Sequence, residues 1–127
     1  MDGQYISTYN SRKFAFPELV QKNDKGKFVD PFRPQINSDG FNTIDELEED
    51  RIKHLKATKH MFETTDVFVV TLGLTEAWIS KIDGAIFPIA PGIVAGELNE
   101  THEFINLGVV QNIIDLQDFV DKLTNVN

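Results

Sequence analysis

The sequence predicts an α/β fold with a parallel strand at its centre, and three observations predict it. Five of the six residues from Val67 to Leu72 are apolar, rich in β-branched types and without alternation. A strand covered on both faces, typical of a parallel sheet, reads this way. Two amphipathic helical segments, about residues 44–63 and 109–123, offer the covering layers. Between them, Ile79 to Pro88 reads as a hairpin turning at Asp83-Gly84. A strand buried on both faces needs strands on either side, and no second run of that kind occurs in the 127 residues. The expected sheet is therefore larger than this chain supplies.

Taken in order, residues 1–42 read as irregular. Phe14, Phe16, Leu19 and Val20 form a short apolar patch broken by Pro17. Asn23-Asp24-Lys25-Gly26 is a turn signal, followed by a short strand at Lys27-Phe28-Val29. Asp30-Pro31-Phe32-Arg33-Pro34 fixes two φ angles and disfavours helix before each proline. The first helix is the clearest element. Thr43 and Glu46 have capping-box spacing, and Ile44, Leu47, Leu55 and Phe62 share one face. Acids fill its first half and bases its second, which complements the helix dipole. In the last helix, Val109, Ile113, Leu116, Val120 and Leu123 mark the apolar face.

The length fits one domain, and the composition, 41% hydrophobic and 25% charged, is that of a folded chain. With no cysteine, disulfides, a thiol nucleophile and thiolate-bound zinc are excluded. Net charge is −8, unevenly spread: residues 82–127 hold seven acids and a single base, Lys122. That half would repel a phosphate backbone, so a nucleic-acid partner is not expected. Neither a signal peptide nor an apolar run of membrane-spanning length is visible. The expectation is a cytoplasmic protein without a membrane partner.

The sharpest local feature is the exit of the predicted strand, Gly73-Leu74-Thr75-Glu76. Ligands of open α/β sheets bind at the carboxyl ends of strands, and glycine lets the backbone approach them closely. Thr75 and Glu76 would present a hydroxyl and a carboxylate there. The same residues also read as a plain turn, with Thr75 capping a short helix, Glu76 in its first turn and Trp78 packing. His54, His60 and His102 lack the spacing of a metal set. No serine stands in a nucleophile elbow, and no glycine-rich phosphate loop is present.

Several of these segments together resemble one family. Val67 to Trp78 (VFVVTLGLTEAW) resembles the signature strand and turn of the GSCFA-domain family, a branch of the SGNH, or GDSL-type, hydrolase-like proteins. So do Asp30-Pro31-Phe32-Arg33-Pro34, Gly40-Phe41, Asp50-Arg51 with His54-Leu55, Asp83 to Pro88, Ala95-Gly96-Glu97, and His102 to Asn106. The resemblance covers residues 28–127. It implies part of a three-layer SGNH-hydrolase-like fold, with a central parallel strand, flanking helices and an inserted hairpin. Residues 1–127 would form one partial domain, with residues 1–27 unassigned.

The resemblance further implies an ester hydrolase acting on an acylated carbohydrate or lipid, a small-molecule or glycan ester, without a cofactor. Gly73, Thr75 and Glu76 take the place of the oxyanion-side block. Thr75 stands where the family pattern has an asparagine donor. Trp78, Arg51 and His54 lie in the matched segments and are the candidate substrate-binding residues. The nucleophilic serine and the histidine base belong to segments outside residues 1–127, so the chain alone is expected to be inactive. The alternative is a short binding module that keeps the scaffold, or an unrelated α+β domain. If the chain is part of a larger domain, its unpaired strand predicts self-association; a clean monomer would favour the binding module.

Overall fold

The computed structural model describes residues 19–72 and 75–127. Three segments lead into the first helix. Strands β1 (Gln21–Lys22) and β2 (Phe28–Val29) pair antiparallel around the Asn23–Gly26 turn. Asn23 Oδ1 accepts the Lys25 and Lys27 amides and so builds that turn. Phe28 then bridges to Phe41, which closes the Asp30–Gly40 loop against β2. Gly40 sits at φ +79°, and a Cβ there would lie 2.6 Å from Lys27 Cβ, so only glycine fits.

Helix α1 (Ile44–Thr64) matches the sequence reading to within one residue at its end. Thr43 Oγ1 accepts the Glu46 amide at 3.1 Å. Glu46 returns its carboxylate to the Asn42 amide rather than to Thr43, a capping box displaced by one residue. Leu47, Arg51 and Phe62 are its buried residues.

Strand β3 (Glu76–Ser80) is the centre of a three-stranded sheet, with β4 (Ile86–Phe87) on one side and β5 (His102–Asn106) on the other. The hairpin turns at Asp83-Gly84 as expected. Gly84 takes φ +71°, and its N–H donates to Ser80 O. Strand β5 has no counterpart among the elements expected from the sequence. Helix α2 (Val109–Thr124) follows. The main core gathers Leu19, Phe32, Leu47, Ala85 and Phe87, with Trp78, Phe28 and Phe41 packed on it.

Two expectations are corrected. Val67–Leu72 is neither in a sheet nor buried. Val69 is 87% exposed and Val67 75%, and no main-chain hydrogen bond holds the run among the described residues. Every strand pair among the described residues is antiparallel, so what they form is a mixed α and β arrangement in which Val67–Leu72 is not a central parallel strand. The physical reason is pairing. A strand exists only beside a partner, and β3, the natural neighbour in sequence, is satisfied on both sides by β4 and β5. The apolar face of α2 is only partly covered: Val109 is 74% and Ile113 62% exposed, Leu116 and Leu123 are half-buried, and Phe119 is buried. Periodicity marks the helix, but among the described residues no neighbour covers the Val109 and Ile113 end of that face.

Candidate functional site

The run 67–72 is in neither helix nor strand, and its residues differ in exposure. Phe68 turns inward and stacks on Phe62 at 5.3 Å, and Phe62 in turn meets Phe119 of α2 edge-on at 6.2 Å. That aromatic trio holds the run against the helices. Val70, Thr71 and Leu72 then form one wall of a cleft of about 320 Å³. Ala77, Ile86, Phe87 and Pro88 of the sheet and Leu107, Leu116 and Phe119 beside or on α2 form the rest of its apolar lining. This is at the lower end of the volumes that small ligands occupy.

Polar groups are few. Glu76 lines the cleft from the first position of β3, and Asp115 and Asn112 line it from α2. Asp115 accepts from Gln111 Nε2 at 2.9 Å, and Asn112 Nδ2 is committed to Leu107 O and Gly108 O. Glu76 has no ion-pair partner among the described residues. The cleft thus offers an apolar wall with two carboxylates.

The sequence-predicted residues divide into two groups. Glu76 is in the cleft lining; Thr75 directly precedes it, exposed, and its carbonyl accepts the Leu107 amide at 2.6 Å. Glu76 opens a strand, so the reading of Thr75 as the cap of a short helix does not hold. Gly73 lies outside the described residues. Trp78 packs edge-on against Phe104 at 5.5 Å and rests on the main core.

Arg51 and His54 belong elsewhere, in an ionic cluster that sequence reasoning missed. Asp30 is 1% exposed. Its carboxylate accepts the Phe32 amide at 2.9 Å, Arg33 Nε at 2.8 Å, and Arg51 Nη1 at 3.0 and 3.1 Å. Arg33 Nη1 also lies 2.9 Å from Asp50 Oδ2, near enough for an ion pair but not aimed for a hydrogen bond. The Arg51 guanidinium lies over the Phe32 ring, which stacks on Phe87 at 5.5 Å. Buried charge survives here because Asp30, Arg33 and Arg51 are each paired and hydrogen-bonded, with Arg33 Nη2 and Asp50 Oδ2 left without a hydrogen bond. His54 borders this cluster. Burial, then the Arg33 charge, holds its ring below the ordinary histidine pKa, and its Nε2 lies 3.4 Å from Thr58 Oγ1. A signal was present in the sequence: a charged pair, Asp30 and Arg33, inside a loop made rigid by two prolines.

His102 packs edge-on against Phe87 at 5.3 Å, and its Nδ1 accepts the Asn99 amide. Burial lowers its pKa. Ser80, its cross-strand partner, is fully buried with Oγ accepting the Ile82 amide, so that hydroxyl is not open to a substrate. Among the described residues no three His, Asp or Glu side chains group to hold a metal ion. No helix of the described residues is long and apolar enough to cross a membrane.

Against known families, the GSCFA family model matches residues 4–127. The chain belongs to the GSCFA family. The match begins well before residue 28, so it takes in the N-terminal segment that the motif resemblance left unassigned. Comparison with curated proteins and with solved structures gives no match.

Proposed function

We propose that this GSCFA chain is the middle portion of an SGNH-type ester hydrolase domain, acting on an acylated carbohydrate or lipid. In this reading Gly73, Thr75 and Glu76 form the oxyanion-side block, and the serine and histidine come from segments outside residues 1–127. The observation that carries it is the run 67–72. It is largely apolar, in neither helix nor strand, and without main-chain partners among the described residues, and in the sequence it leads directly into Gly73-Leu74-Thr75-Glu76. A strand of this composition is stable at the centre of a sheet and costly in water. What supports this reading is that Val70, Thr71 and Leu72 wall a largely apolar cleft whose lining also includes Glu76. Thr75 would donate through its hydroxyl in place of an amide.

The test compares two samples: the polypeptide that carries these residues in the cell, and the 127-residue chain. Each is assayed for p-nitrophenyl acetate hydrolysis and for capture of a fluorophosphonate. The longer polypeptide is expected to turn over the ester and take one covalent adduct, with Thr75→Ala slowing turnover; the 127-residue chain is expected to do neither. No adduct and no turnover in the longer polypeptide, or turnover by the 127-residue chain that Thr75→Ala removes, would overturn the reading.

A further inference from the structure

The run 67–72 also has a property that does not depend on the hydrolase reading. It contains no charged residue, no proline and no glycine. Exposed strand edges are normally blunted by lysine, proline, a bulge or a covering element. None protects this run among the described residues. Val69 and Val67 stand 87% and 75% exposed, Leu72 66% and Val70 42%. Its amides and carbonyls are free to pair, since no main-chain hydrogen bond engages them among the described residues.

We propose that in the 127-residue chain this run pairs antiparallel with the same run of a second copy, about a two-fold axis at Val69. A two-fold axis perpendicular to the strands keeps inner and outer faces matched. It sets Val69 against Val69, Val67 against Thr71 and Phe68 against Val70. Asp66 then falls opposite Leu72, so its charge does not meet its own copy. A parallel pairing in register would stack Asp66 on Asp66, which like-charge repulsion disfavours. The chain therefore supplies a self-complementary surface, with both the backbone pattern and the charge pattern on its side.

Area sets the strength. An apolar side chain of this size hides about 60–120 Å² when fully buried. Four such residues, part-exposed already, give an interface well under the roughly 1,200 Å² at which stable complexes begin. The pairing is therefore reversible and concentration-dependent.

The experiment exploits the absence of cysteine. In Val69→Cys the two introduced thiols face each other across the axis, within the Cβ separation of about 4.5–5.5 Å expected for directly opposed residues. Mild oxidation is expected to give a disulfide-linked dimer in high yield. Val67→Cys, whose opposite residue is Thr71, is expected to cross-link poorly. In sedimentation, the weight-average mass of the unmodified chain should rise toward twice the monomer with concentration. That rise should be lost in Val69→Lys and kept in Val109→Lys, a control on the exposed face of α2. A chain that stays monomeric at all concentrations overturns the proposal. So does association lost in Val109→Lys but kept in Val69→Lys, or equal cross-linking at positions 67 and 69. Both lysine variants replace exposed side chains, so folding is not at stake.

Discussion

Replacing Asp30 by asparagine should be among the most damaging single-atom-scale changes in this chain. The side chain keeps its shape and one acceptor for the Phe32 amide, but loses the charge that faces Arg33 and Arg51. Both guanidinium side chains are only 9% exposed, so water cannot replace the carboxylate. Removing one partner of a buried ion pair costs about 3–5 kcal/mol. Arg33 retains Asp50 beside it, which argues for the lower part of that range. A chain of this length has a stability of order 5–15 kcal/mol, so the loss is a large share of it.

With a urea m-value of about 1–3 kcal/mol/M, the midpoint should fall by more than about 1 M. The assay is urea unfolding followed by far-ultraviolet circular dichroism. A companion triple variant, Asp30→Leu with Arg33→Met and Arg51→Met, should recover much of the loss. An apolar set of similar volume carries no unpaired charge. Lys25→Ala, which removes the exposed pair with Asp39, should leave the midpoint where it is. An Asp30→Asn midpoint indistinguishable from the parent would refute the claim that the cluster is held by its charge.

Gly40→Ala should destabilise far more than Gly26→Ala. Both glycines have positive φ, but a Cβ at position 26 meets nothing within 4 Å, whereas at position 40 it strikes Lys27 Cβ. The left-handed backbone alone costs an alanine about 1–2 kcal/mol, and paired melting curves will show whether position 40 adds to it. Stability should also fall as pH drops from 7 to 5. His54 and His102 are both held below the ordinary value by burial. The unfolded chain then takes up their protons first. Their contribution is fully present above about pH 6.5 and is lost as pH falls through the folded values. His102→Gln should flatten this slope, and a midpoint that rises toward pH 5 would contradict it.

Local chemistry was legible in the sequence wherever neighbours in the chain are also neighbours in space. Thr43 and Glu46 marked the start of α1, and Asp83-Gly84 marked the hairpin. Val67–Leu72 shows the other case. Its composition describes a strand buried on both faces, and the structure leaves it in water, because pairing and cover are properties of surroundings and not of the run itself. The same holds for Val109 and Ile113 on α2. Glu76 was found in the cleft as a site candidate, but for the wrong local reason, since it opens a strand that His102–Asn106 completes from far along the chain. Of the Asp30 cluster only the Asp30–Arg33 pair was legible; Arg51 is 21 residues from Asp30 and meets it only when α1 folds back on the loop.

Helix α1 carries a further consequence, for how the molecule comes apart. Near one end Leu47 is sealed in the core with Phe32 and Phe87; near the other Phe62 anchors the trio with Phe68 and Phe119. Fifteen residues of helix separate those anchors by about 22 Å. The molecule thus has two hydrophobic centres on a single beam, and nothing obliges them to melt at one temperature. Trp78, the only tryptophan, sits against the first centre. Its emission will therefore register the loss of the sheet while remaining blind to the release of α2. Circular dichroism, dominated by the helices, will report both centres, since α1 spans them and α2 belongs to the second. A gap between the two signals would measure how firmly the beam transmits order from end to end.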